Sequence, residues 1–280
     1  MSSNKYDFWT KQSFEYLIPK HIYDINFNKN LNEPVLILQK WHNSKILFLS
    51  NYFNEELIFL SPKTKIIIFE NDIFCGSIFN QKVDNLPKYF LGFPQNIINI
   101  TFGHYFNKKV DKLPKNLAQL IIDKNFNQKV DKLPKNLTYL TLSFCFDQKV
   151  DKLPKNLTHL TFGKCFDQKV DKLPKNLTHL TFGNKFNQKV DNLPKNLTHL
   201  TFGNYFNQEV NFLPSKIVYL CLGHFFNQKI DNLPQNITYL YVGHIFNQKA
   251  YNLPNSLKKL KIFNINLFKI PFGCVVEIHK

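Results

Sequence analysis

The chain has 280 residues and a formal net charge of +16, yet all 36 of its basic residues are lysine and none is arginine. Arginine is the side chain that forks onto phosphate and reads guanine edges, so its absence counts against sequence-specific recognition of nucleic acid. Five cysteines, few and odd in number, argue for a reducing compartment; with no apolar run long enough for a signal peptide or a membrane span, the expectation is a cytoplasmic chain, not secreted and not bound to membrane.

Residues 1–16 carry no repeat character and are predicted as an N-terminal cap. Degenerate units follow over 17–100. Pro19, Ile22, Ile25 and Phe27 fall in the register of Pro154, Leu157, Leu160 and Phe162, with Leu31-Asn32 in place of Phe-Asn. Leu47 to Asn54 aligns with Leu200 to Asn207, and Phe79-Asn80-Gln81-Lys82-Val83 opens a further unit that is lengthened by Lys88 to Pro94.

From Thr101 to Leu260 the sequence then repeats every 20 residues without a gap, giving eight regular units. TFGKCFDQKVDKLPKNLTHL at 161–180 is followed by TFGNKFNQKVDNLPKNLTHL at 181–200. One column reads Phe106, Phe126, Phe146, Phe166, Phe186, Phe206, Phe226 and Phe246, each followed by Asn or Asp. Four residues on comes an aliphatic column from Val110 to Ala250, then a Leu-Pro pair from Leu113-Pro114 to Leu253-Pro254. A fixed short period with one apolar skeleton per unit means stacked coils that bury their faces only against neighbours. The unit closes on Leu157, Leu160 and Phe162, the LxxLxL spacing of a leucine-rich-repeat strand.

The predicted fold is therefore a mainly β solenoid, a leucine-rich-repeat-like curved stack of about 11 to 12 coils with one parallel strand each. Little or no helix is expected on the convex side, because the Pro in every unit removes a donor and disfavours helix before it. The Phe column is expected to form the structural core. Gly103, Gly163, Gly183, Gly203, Gly223 and Gly243 end their strands, and the expectation is a turn through positive φ. Residues 261–280 keep Ile262 and Ile265 as strand apolars, lose Phe-Asn, and are predicted as a C-terminal cap.

Perfect repeats present a uniform surface, whereas selective binding needs irregular anchors, preferably aromatic. Tyr139, Tyr219, Tyr239 and Tyr241 fall on outward strand positions and are candidate partner contacts, together with His159, His179 and His199, one imidazole per coil. No Asp, Glu or Cys completes a metal set beside those histidines, so no metal or cofactor is expected. Nothing interrupts the repeat with convergent polar residues or a glycine-rich phosphate loop, so no catalytic residue is assigned and the chain is not expected to be an enzyme. Cys145 and Cys165 share a column about 5 Å apart, where a disulfide is geometrically conceivable. The tripeptides such as Asn156-Leu157-Thr158 match a glycosylation acceptor pattern but carry no meaning without secretion. Lys109, Lys129, Lys149, Lys169 and Lys189 stack like charges, relieved by the column Asp111, Asp131, Asp151, Asp171 and Asp191.

The Phe-Asn-x-x-Val/Ile step, the Leu-Pro pair and the LxxLxFG strand, recurring in phase over residues 17–260, resemble the FNIP repeat family of social amoebae and of giant viruses that infect amoebae. Only Pro34 fits the Pro of the FNxP pattern; Lys stands there in most other units. The resemblance implies a non-catalytic, leucine-rich-repeat-like module for an unknown protein partner, expected to be a monomer. Relatives with an F-box ahead of the repeats imply a second role, substrate recognition for a ubiquitin ligase, here without an F-box in this sequence. A third reading, from charge alone, is a basic surface for nucleic acid or other polyanions.

Overall fold

A computed structural model describes residues 46–49, 65–69, 80, 96–265 and 268–278, which all belong to one compact unit, residues 33–280. The predicted cap at 1–16 and the degenerate unit at 17–34 lie outside the described residues. Among the described residues twelve strands follow in chain order: β1 (Ile46–Leu49), β2 (Ile66–Phe69), β3 (Asn99–Phe102), β4 (Gln119–Ile122), β5 (Tyr139–Thr141), β6 (His159–Thr161), β7 (His179–Thr181), β8 (His199–Thr201), β9 (Tyr219–Cys221), β10 (Tyr239–Tyr241), β11 (Lys259–Ile262) and β12 (Val275–Ile278). They form one sheet in sequence order, every neighbour parallel. From β4 to β11 the register advances by 20 residues per strand, as in Leu160↔Leu180↔Leu200. The chain is a β solenoid, and no helix occurs among the rungs from Phe106 to Ile262.

Between strands each rung is built from tight turns. The Phe166 N–H donates to the Gly163 carbonyl at 3.3 Å, and the Leu157 N–H donates to the Pro154 carbonyl at 3.2 Å; both are i to i+3 closures that recur rung after rung. Leu157, Leu160, Phe162, Phe166, Val170 and Leu173 all point inward and are buried. The Phe column is a continuous core: Phe106 to Phe226 are fully buried and Phe246 nearly so. Successive rings lie 6.1–6.3 Å apart and close to parallel, and Phe162, Phe182 and Phe202 add a second layer 3.7–3.8 Å from their partners in the column. Aromatic burial of this size supplies most of the drive for stacking one rung on the next.

The Asn or Asp after each Phe has its own task. Its Oδ1 accepts the backbone N–H of the equivalent residue one rung later, at 2.8–3.0 Å, from Asn80 through Asn107 to Asn227. The same oxygen accepts from the next rung's Gln Nε2, from Gln128 to Gln248, at 3.0–3.3 Å. Only an acceptor is required, which is why Asp147 and Asp167 serve as well as Asn.

Two sequence expectations are corrected. The repeat glycines do not adopt positive φ; among the described residues only Gly273 does, at 77°. Close approach is the reason for the column instead. In β3 and β4 the strand runs one residue further, and the Asp123 N–H still reaches the Phe102 carbonyl at 3.1 Å. From β5 to β10 the chain leaves the sheet one residue earlier, and a Cβ on Gly163, Gly183, Gly203, Gly223 or Gly243 would overlap the carbonyl oxygen of the equivalent residue one rung before. Second, Ile262 ends β11 and is buried, but Ile265 lies outside the strand and is exposed. The segment 261–280 also adds β12 to the sheet, with Val275 and Ile278 exposed.

Candidate functional site

Because each strand alternates inward and outward residues, its first and third positions reach the solvent side of the sheet. The first positions align Tyr139, His159, His179, His199, Tyr219 and Tyr239 in one column, all half-buried. Their rings stack without a break. Centroid separations are 5.5 Å for Tyr139–His159, 4.2 Å and 4.3 Å within the histidines, 5.7 Å for His199–Tyr219 and 4.5 Å for Tyr219–Tyr239. Six of the seven residues singled out from sequence thus share one ladder. Tyr241 does not; it stands in the third-position column with Thr141, Thr161, Thr181, Thr201 and Cys221.

The threonine before each histidine fixes its ring. Thr158 Oγ1 lies 3.1 Å from the Thr138 carbonyl and 2.9 Å from His159 Nδ1, and the pattern repeats at Thr178–His179 and Thr198–His199. A hydroxyl has one proton. Donated to the carbonyl, it leaves the oxygen free to accept from an Nδ1–H, so the arrangement satisfies both contacts only with a proton on Nδ1, which in the neutral ring leaves the lone pair on Nε2. Burial, reinforced for His159 and His179 by neighbouring imidazoles, lowers all three pKa values, that of the central His179 to about 4. Burial likewise raises the pKa of the Tyr219, Tyr239 and Tyr241 phenols and pushes the Cys221 thiol up to about 12. At neutral pH the ladder is an uncharged row of imidazole acceptors and phenols. Among the described residues no three His, Cys, Asp or Glu side chains are placed to hold a metal ion.

A lowered histidine pKa ties stability to pH with a definite sign. Between the unfolded value of 6.5 and the folded value of about 4 the unfolded chain binds protons that the stack refuses, so stability is complete above 6.5 and falls as pH drops through that window. The melting temperature is expected to decline from pH 6.5 to pH 5, above the ordinary carboxylate range. A variant with His159, His179 and His199 all changed to Asn loses most of that slope; parallel profiles for the two proteins would contradict the ladder.

Charge is distributed in a second way. In β3 to β10 no first- or third-position residue is Lys, Asp or Glu, from Asn99 and Thr101 to Tyr239 and Tyr241. Charged side chains return at Lys259 and Lys261, where Glu277 pairs with them at 2.7 Å and 3.9 Å. The lysines stand instead on the turns: Lys129, Lys149, Lys169 and Lys189 are exposed, and the ion pairs Lys132–Asp111 and Lys152–Asp131 are long, at 3.8 Å and 4.0 Å. The rim of the sheet carries exposed aromatics that sequence reasoning passed over, Tyr205 stacked on Phe225 at 5.1 Å; their 20-residue spacing was the signal.

Comparison with known proteins places these features in a wider set. The FNIP Repeat family model matches residues 109–145, 146–185, 186–225 and 226–264, more than half of the chain. Among solved structures, a giant-virus protein described as "CroV588 a novel circular LRR protein structure" is 33% identical with a TM-score of 0.62, covering 85% of this chain and 44% of its own. YopM from Yersinia enterocolitica WA-314 shares 17% identity with a TM-score of 0.50, covering 79% of this chain and 52% of its own, a likeness of fold. The chain thus spans about half or less of the length of either neighbour. Comparison with curated proteins gave no match. No helix among the described residues is long and apolar enough to cross a membrane.

Proposed function

The chain belongs to the FNIP repeat family, and from that premise we propose that it is a non-catalytic scaffold that binds a protein partner on the solvent side of its sheet. One observation carries the reading: a chain of net charge +16 keeps every outward strand position from β3 to β10 free of Lys, Asp and Glu. Interface cores are depleted of lysine and acidic residues and enriched in tyrosine, since a charge buried under a partner loses its hydration. The ladder from Tyr139 to Tyr239 and its neighbour Tyr241 supply rigid rings with polar edges at the centre of that face.

A second reading rests on the lysines outside the strands. The exposed columns Lys129, Lys149, Lys169 and Lys189, with few close ion pairs among the described residues, favour binding of nucleic acid or another polyanion. Affinity capture from a cell lysate with and without nuclease separates the two. On the protein-partner reading, Tyr219→Ala, Tyr239→Ala and Tyr241→Ala combined abolish capture, leave the circular dichroism unchanged, and nuclease has no effect. Capture that survives the triple substitution but vanishes with nuclease transfers the function to the lysine columns.

A further inference from the structure

We propose that Cys145 and Cys165 form a redox-switched staple between two rungs, a thiol pair that a small disulfide such as glutathione disulfide oxidises reversibly. In a repeat copied nearly verbatim, their column holds Tyr105, Asn125, Lys185, Tyr205, Phe225 and Ile245 elsewhere; cysteine occurs only at these two adjacent places. The departures cluster. Ser143 replaces the repeat glycine and donates to the Phe126 carbonyl at 2.6 Å, and the Lys164 ammonium stands 5.3 Å from the centre of the Phe144 ring, so the two cysteines sit beside a turn that departs from the repeat.

Rung register brings the two residues side by side. The Cys145 N–H donates to the Lys124 carbonyl and the Cys165 N–H to the Phe144 carbonyl, both at 2.9 Å, so the two backbones are held in one inter-rung register. Stacked rungs lie about 4.8 Å apart, inside the roughly 4.4–6.8 Å Cα separation that a disulfide spans. Both residues are free and half-buried, so a small disulfide has access from the turn edge. Burial and the neighbouring Cys165 raise the Cys145 pKa, which Lys124 and Lys185 offset only in part, so the exchange is expected to quicken as pH rises.

The step balances as thiol–disulfide exchange. One cysteine thiolate attacks a sulfur of glutathione disulfide, the S–S bond breaks, and one glutathione thiolate leaves. The second cysteine gives up its proton and attacks the protein-bound sulfur, the new S–S bond forms, and the second glutathione leaves. Two protein thiols are oxidised to one disulfide, one glutathione disulfide is reduced to two glutathione thiols, and the two protons pass from protein to glutathione. The product clamps neighbouring rungs through a 20-residue loop and so resists their separation.

The full chain, equilibrated in glutathione buffers of rising oxidised fraction, acid-quenched and cut after lysine, reads the proposal directly. The expected product is peptide 136–149 joined to peptide 165–169, with two of the five thiols lost to maleimide and a melting temperature several degrees above the reduced protein. C145S and C165S each stop at a mixed disulfide with glutathione, keep the reduced melting temperature, and so separate bridge formation from any effect on folding. Wild-type protein that accumulates glutathione on both cysteines without the joined peptide, or that forms the bond between two chains on a non-reducing gel, overturns it.

Discussion

Phe166→Ala is expected to lower the unfolding free energy by about 3–5 kcal/mol, the loss typical of truncating a buried ring. The ring is fully buried, 6.1 Å from Phe146 on one side and from Phe186 on the other, and 3.8 Å from Phe162 beside it. A globular core spreads such a defect over many neighbours. In a solenoid each rung touches only the next, so the same cavity weakens the single interface that couples the two halves. Guanidinium unfolding followed by circular dichroism should therefore shift to lower denaturant and split into two transitions. Phe212→Ala is the control: that ring is 70% exposed, and its removal is expected to change stability by less than about 0.5 kcal/mol. An unchanged midpoint for Phe166→Ala would place the column outside the core.

Gly183→Ala is expected to be as damaging although it adds only a methyl group. The new Cβ would overlap the Gly163 carbonyl oxygen and carbon and crowd the Lys164 Cα, all backbone atoms of the preceding rung that no side-chain rotation can clear. The rungs must part locally, lengthening the inter-rung hydrogen bonds on both sides, including Lys185 N–H to the Lys164 carbonyl at 2.9 Å. Overpacking typically costs about 1–3 kcal/mol, and the upper end or beyond is expected where only backbone can give. Gly273→Ala tests the alternative cause. Gly273 sits at φ 77° with open space around its Cβ position, so its penalty is the smaller one of a strained dihedral. A Gly183→Ala protein as stable as the parent would refute the close-approach account.

Much of the fold was legible because translation by 20 residues turns sequence phase directly into spatial columns. Once Phe106 to Phe246 are aligned, the pairing Leu160↔Leu180 and the stacking of Phe166 on Phe186 follow from the period alone. The glycine column was located correctly but explained wrongly, since positive φ and close approach both demand glycine and only backbone geometry separates them. Asn and Asp substitute for each other after Phe for a reason equally invisible in the letters, a one-acceptor ladder running between rungs. Of the candidate contacts, the histidines and Tyr139, Tyr219 and Tyr239 fall into one stack because strand register aligns them, whereas Tyr241, two residues on, belongs to the threonine column. The tautomer of His179 needed the Thr178 carbonyl partner one rung back, a contact between residues that no local pattern connects.

A photo-crosslinking side chain placed at Thr181, on the charge-free side of the sheet, and separately at Lys169, on the outer turns, tests the division of labour between the two surfaces most directly. Irradiated in a cell lysate, the Thr181 position should yield a discrete protein adduct that competes away with unlabelled chain, and the Lys169 position should yield none. Adducts from Lys169 alone, or adducts that disappear after nuclease treatment, would contradict the proposal that the partner docks on the sheet.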